Sequence, residues 1–219
     1  MEPKTIVYGN QRTRTQRLRE LGIAETILQQ AVSDGFAARR NCTANHPSQT
    51  PGYYTWAETT RSLREQLVAE KWTRVEQGGI SLIVNPSKDI AIAVTTGDEA
   101  TGDGDLDASP RSKNIKGASA MSAVSNNQLM LPHISVIINA PQPTTTWKTY
   151  YLVVALVDGE GKSELSLPRS IGNDNKINAW IERIPLAKII WNDHDPTVDI
   201  VHDMPDLDVP VTRIANAKI

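Results

Sequence analysis

The segment Tyr150–Val157 constrains the fold more than any other stretch of the chain. It reads Tyr-Tyr-Leu-Val-Val-Ala-Leu-Val, with no charged residue. β-Branched and aromatic residues dominate it, so it is a strand candidate. A strand that is apolar at both alternating sets of positions is buried on both faces. Asp158-Gly-Glu-Gly161 then supplies a turn, and Ser163–Leu167 alternates as a returning strand.

The rest of the chain is organised around that segment. Over residues 12–41, Leu18, Leu21, Ile27, Leu28, Ala31 and Val32 fall at helical spacings. Gly22 divides the stretch into two helices, and Gly35 is expected to end the second. Pro47, Pro51 and Gly52 make residues 43–54 a loop. Thr55 followed by Glu58 forms a capping-box pattern, which predicts a helix from Thr55 to about Lys71 with Trp56, Leu63 and Leu67 on one face. Ile80–Val84 and Ile90–Thr95 flank the turn residues Asn85–Asp89 and read as a β-hairpin. Ala118–Leu129 reads as a helix, residues 132–147 as irregular, and Ile177–Leu186 as a strand interrupted at Pro185.

Helices first, then hairpins with a helix between them, predict an α+β fold with N-terminal helices packed on a mostly antiparallel β-sheet. The expectation is a single domain over residues 1–219, with a helical region at about 12–71 and an acidic tail at about 193–219. Between Asp193 and Asp208 that tail holds six aspartates and no lysine or arginine. A chain of 219 residues with 39% apolar and 22% charged residues is long and apolar enough to bury a core. Its net charge of -2 provides no overall basic field, which weighs against non-specific nucleic-acid binding. The single cysteine, Cys42, rules out an internal disulfide. Apolar runs are far shorter than the roughly 20 residues of a membrane helix, and the N-terminal residues do not read as a signal peptide. No membrane partner and a cytoplasmic location are therefore expected.

Residues 97–117 are the best candidate for a site. The stretch begins where a strand candidate stops and holds Asp98, Glu99, Asp103, Asp105 and Asp107, followed by Arg111, Lys113 and Lys116. Asp103-x-Asp105-x-Asp107 imitates the start of a calcium loop, but Ala108 and Asn114 stand where such a loop needs Gly and Glu. Asp98 and Glu99 differ from the other acids because the strand end holds them in place. Arg111, Lys113 and Lys116, closed by Gly117 at the start of the following helix, suit an anion, although no Walker spacing is present. Neutralisation of the preceding acids explains the same cations. Sequence leaves open whether Asp98, Glu99, Arg111, Lys113 and Lys116 form a functional surface or a structural ion-pair network.

Other chemistry finds little support. Glu160-x-Lys162 matches part of a nuclease motif but lies in a turn. His46, His133, His194 and His202 lack zinc spacing. Cys42 has no flanking motif, and Ser166 and Ser170 lack a nucleophile-elbow context. No metal site and no cofactor are expected. Residues 1–74 carry eleven Lys/Arg against seven Asp/Glu. Arg14 and Arg17, with Arg12 and Arg19, are close enough to make one helical face basic, which reads either as a solvated helix surface or as a docking face for an acidic partner or nucleic acid.

Trp56 with Thr60-Arg-Ser-Leu-Arg64, Gly97-Asp-Glu-Ala-Thr-Gly102, Pro110-Arg-Ser-Lys-Asn-Ile-Lys-Gly117 and Glu164-Leu-Ser-Leu-Pro168 resemble a group of uncharacterised bacterial proteins of similar length. The resemblance covers most of residues 15–211 and implies a bacterial, soluble origin. It implies no reaction. The expected function is that of a cytoplasmic accessory or binding protein, contacting another macromolecule, most simply a protein, through residues 97–117 and the basic helices. The alternatives are a metal-dependent hydrolase or nuclease acting on phosphodiesters, with Asp98, Glu99 and Glu164 as ligands, and a nucleic-acid-binding module.

Overall fold

A computed structural model of the chain describes residues 4–130 and 145–190. The short strand β1 (Ile6–Val7) precedes three helices, α1 (Gln11–Glu20), α2 (Glu25–Arg40) and α3 (Thr50–Ala69). Strands β2 (Thr73–Gln77), β3 (Ile80–Val84) and β4 (Ile90–Thr96) follow, then helix α4 (Ala118–Leu129). The last described elements are β5 (Lys148–Val157), β6 (Glu160–Ile171), β7 (Ile177–Pro185) and β8 (Ile189–Ile190). The strands form one sheet in the order β1-β7-β6-β5-β4-β3-β2, with β8 paired to β6. Among the described strands only β1–β7 and β4–β5 pair in parallel, so the fold is α+β with a mostly antiparallel sheet and three helices in the N-terminal part of the chain.

The strand at Tyr150–Val157 lies mid-sheet, and its two faces feed two cores. Leu152 and Val154 join Ile92, Leu165 and Ile184 beneath Leu18, Leu28, Val32, Leu63 and Leu67 of the first three helices. Tyr151 and Val153 join Ala91, Ala93, Ile177 and Trp180 on the opposite face, where Val124 of α4 packs. Trp56 lies partly buried against the first core, on the face shared with Leu63 and Leu67. Burial of each aliphatic side chain contributes roughly 1.5–3 kcal/mol. No described helix is long and apolar enough to cross a membrane.

Several local expectations hold. Gly22 adopts φ +71° and separates α1 from α2. The turn expected over Asp158–Gly161 is confined to Asp158 and Gly159, with φ of 51° and 74°; Glu160, Gly161 and Lys162 already pair with β5, so Glu160-x-Lys162 lies on β6 and not in a turn. α4 spans the expected residues. Three expectations need correction. α2 does not end at Gly35 but continues to Arg40. Gly35 instead marks the crossing with α3, where an added Cβ would lie 2.0 Å from Thr59 Oγ1 and 2.7 Å from the Thr55 carbonyl oxygen. Tertiary contact, and not helix termination, requires the glycine.

Helix α3 begins at Thr50, with Pro51 in its first turn, where a proline's missing N–H is no loss. Thr55 therefore caps nothing. Its hydroxyl donates to the Pro51 carbonyl at 2.9 Å inside the helix, and Glu58 pairs with Arg61. The edge strand β2 had no sequence signal, because four of its five residues, Thr-Arg-Val-Glu-Gln, are polar and the strand is mostly exposed. The tail at 193–219 and most of the segment at 132–147 lie outside the described residues.

Two helical glycines should respond to alanine with opposite signs. Gly35→Ala overpacks the α2–α3 crossing and should destabilise the protein by about 1–3 kcal/mol. Gly52→Ala meets nothing within 4 Å and should stabilise α3 by up to about 1 kcal/mol. Chemical denaturation of the two variants measures both effects.

Candidate functional site

Parallel pairing of β4 with β5 requires a crossover, and residues 97–117 lead from the carboxyl end of β4 into α4, the crossover helix. The segment is tied down along most of its length. Gly97 bridges Ser112, the Asp98 N–H donates to the Arg111 carbonyl at 3.1 Å, and the Lys113 N–H donates to Thr96 at 2.9 Å. Gly97 is required here, since a Cβ would stand 2.1 Å from Thr101 Oγ1 and 2.5 Å from a Val153 methyl. The return limb is stitched to β7. Ser112 N–H donates to the Ile177 carbonyl, Ile177 N–H donates to Ser112 Oγ, and Trp180 Nε1 donates to the Pro110 carbonyl, at 3.0, 3.0 and 2.8 Å.

Beneath the loop lies a fully buried ion pair. Glu164 on β6 and Arg183 on β7 project from the sheet face opposite α1–α3. Arg183 Nε donates to Glu164 Oε1 at 3.1 Å and Nη2 to Oε2 at 2.6 Å. Two of the three remaining guanidinium hydrogens reach the loop, with Nη1 donating to the Ala108 carbonyl at 2.6 Å and Nη2 to the Asp103 carbonyl at 2.9 Å. Glu164 also accepts from the Gly102 N–H at 3.0 Å and from Ser166 Oγ at 2.7 Å. Gly102 takes φ +71° to make its bond. Each carboxylate oxygen thus has two donors, and one arginine joins the sheet to two turns of the loop.

The expected site residues meet through their backbones more than through their charges. Asp98 Oδ2 accepts from the Arg111 N–H at 3.0 Å, while the Arg111 guanidinium turns to Asp174 at 2.5 Å. Glu99 and Lys113 are exposed. Lys116 turns inward and donates from Nζ to Thr95 Oγ1 at 2.7 Å. Burial lowers its pKa to about 8, and no carboxylate offsets the desolvation. Its place just before the N-cap Gly117 of α4 adds an unfavourable helix dipole.

On the other side of the sheet, Arg14 pairs with Glu25 at 2.9 Å and donates to the Pro185 carbonyl. Arg17 pairs with Glu20 and with Glu182, at 2.9 and 3.0 Å. Tyr150 donates its hydroxyl to Glu182 at 2.6 Å, and burial followed by the Glu182 charge pushes its pKa up. Both arginines therefore stitch α1 to α2 and β7. Arg12 and Arg19 are exposed.

Glu164 has no oxygen left for a metal, and among the described residues no group of three or more His, Cys, Asp and Glu side chains could hold one. Cys42 is buried, and burial raises its thiol pKa. The loop does expose two large apolar side chains, Leu106 at 59% and Ile115 at 61%. Sequence reasoning passed over both, and over Arg183. The available signal was an adjacent Glu-Arg pair inside a mostly apolar strand, which demands buried partners.

Arg183→Met should leave Glu164 buried and unpaired, lowering stability by about 3–5 kcal/mol. Adding Glu164→Leu removes the stranded charge, so the double variant should recover part of that loss in urea denaturation.

Lys116 carries a pH signature. Its folded pKa, about 8, lies below the ordinary 10.5, so the unfolded chain binds more protons between these values and stability rises with pH there. Lys116→Met should be more stable than the parent at pH 7 by about 1–3 kcal/mol. The gap should close as pH rises from 8 toward 10.5, as followed by melting temperature across that range. No protein-family model matches the chain, and neither a curated protein nor a solved structure does, so the geometry of the loop and its anchor carries the functional reading.

Proposed function

We propose that the protein is a cytoplasmic accessory or binding protein that acts by docking another macromolecule, a protein, on the 97–117 loop. One observation carries this reading. A loop held by a buried Arg–Glu pair and by hydrogen bonds to β7 nonetheless exposes Leu106 and Ile115 to solvent. Exposing such side chains on ordered backbone contributes nothing to folding, whereas apolar anchors rimmed by charge are what a protein interface uses. Asp98, Glu99, Arg111 and Lys113 then form the polar rim, which sets orientation and excludes wrong partners. Arg14 and Arg17 act indirectly by holding α1 in place, and Arg12 and Arg19 are the exposed cations of that helix.

Leu106→Asp and Ile115→Asp should each abolish capture of the partner in a quantitative pull-down from the native host, with an unchanged melting temperature. Reversal at Arg12 and Arg19 should change only the salt dependence of capture. Full partner retention by Leu106→Asp/Ile115→Asp, in folded protein, would show that the loop is not the docking face.

A further inference from the structure

Strand β2 ends the sheet, and among the described residues nothing pairs with its outer edge. The β2–β3 hairpin is closed by Gly78 and Gly79, both at positive φ, with Gln77 opposite Ile80. Across a two-residue turn the flanking pair is hydrogen-bonded, and bonded pairs alternate along the ladder. Val75 therefore bonds to Leu82, while the N–H and C=O groups of Arg74 and Glu76 point away from β3. Those two residues present the open edge.

The charges along this edge have an unusual relation. Isolated charges on an edge strand ordinarily keep other strands away. Here the strand reads Thr73-Arg-Val-Glu-Gln77, centred on Val75. A two-fold axis through Val75 sets a second β2 antiparallel to the first, with Arg74 opposite Glu76 of the second copy and Glu76 opposite its Arg74. Both are outward-facing residues, so these are the pairs that exchange backbone N–H···O bonds. Each also sets opposite charges face to face. Val75 meets Val75 at the axis as a non-bonded pair, the closer type of cross-strand contact. Thr73 falls opposite Gln77, so neither five-residue strand overhangs the other.

The flanking surface agrees with this register. Glu76 already meets Arg64 of α3 at 2.7 Å, and Arg64 also donates to the Val75 and Leu82 carbonyls, so α3 reaches over the β2–β3 pair. Val68, one turn beyond Arg64 on the same side of α3, is a large apolar side chain left 38% exposed.

The geometry points to a homodimer formed by antiparallel pairing of β2 with β2 of a second copy about a two-fold axis at Val75, joining the two sheets into one. Such an interface is self-complementary, as closed two-fold assembly requires. The interface uses no residue of the 97–117 loop, which covers a face of the sheet over β6 and β7, so a dimer presents two copies of that loop, and the inference does not depend on the loop's function.

Complementary charge variants test the register. Arg74→Glu sets like charges opposite one another in a homodimer at both pairs, and so does Glu76→Arg. Mixing the two variants restores opposite charges at both positions. Sedimentation velocity on the full chain at tens of micromolar should find the parent dimeric. Each variant alone should be monomeric, with at least tenfold weaker self-association, and the equimolar mixture dimeric. Arg74→Pro removes an outward N–H without touching the β3 ladder and should also be monomeric. Circular dichroism and melting curves confirm that each variant is folded. A monomeric parent would overturn the inference, as would a dimer that persists in Arg74→Glu or a mixture that stays monomeric.

Discussion

Arg183 and Glu164 bind the loop-bearing face of the sheet together. Two charges on neighbouring strands are removed from water, and the desolvation is offset only because every polar atom in the pair finds a partner. Four of the contacts come from the 97–117 loop and Ser166 rather than from the pair itself. The pair therefore specifies more than a strand register. Moving the Asp103 or Ala108 carbonyl away would strand guanidinium hydrogens in an apolar layer, so the loop has one favourable position. This accounts for a 21-residue crossover segment that is hydrogen-bonded along most of its course although it forms no strand or helix of its own.

Glu182 and Arg183 divide the work of β7. Consecutive residues on a strand face opposite sides, so one charge enters the helical layer and the other the loop layer. Glu182 receives Arg17 and Tyr150 and ties α1 to the sheet. Arg183 ties down the loop. The short parallel strand β1 runs beside both, with Ile6 opposite Glu182 and Val7 opposite Arg183. A central apolar strand thus supplies the hydrophobic core, while a charged strand nearer the edge specifies where each covering layer docks.

That rigidity underlies the docking role proposed for the exposed side chains. Leu106 and Ile115 are carried on backbone whose position is set from below, and preorganised apolar groups bind without the entropic loss of ordering a flexible loop. Lys116 contrasts with them. It turns inward to Thr95, away from the surface that its neighbours form. The cationic run at 111–116 therefore separates into three destinations: an ion pair with Asp174 for Arg111, the exposed surface for Lys113 and the interior for Lys116.

What sequence determined by itself was whatever depends on local pattern. The apolar run at Tyr150–Val157 marked the mid-sheet strand, Gly22 the break between α1 and α2, and Asp158-Gly159 the turn, because periodicity and positive φ act within a few residues. The 97–117 stretch was legible as a charged loop at a strand end. The partners of its charges were not. Arg111 finds Asp174 and Arg183 finds Glu164 across 63 and 19 positions of sequence. Gly35 looked like a helix terminus until the close approach of Thr59 gave it another role. Arg14 and Arg17 looked free until Glu25 and Glu182 were brought beside them. In each case the deciding term is the energy of a buried or paired polar group. That energy depends on which neighbours the fold supplies, and only the tertiary structure decides them.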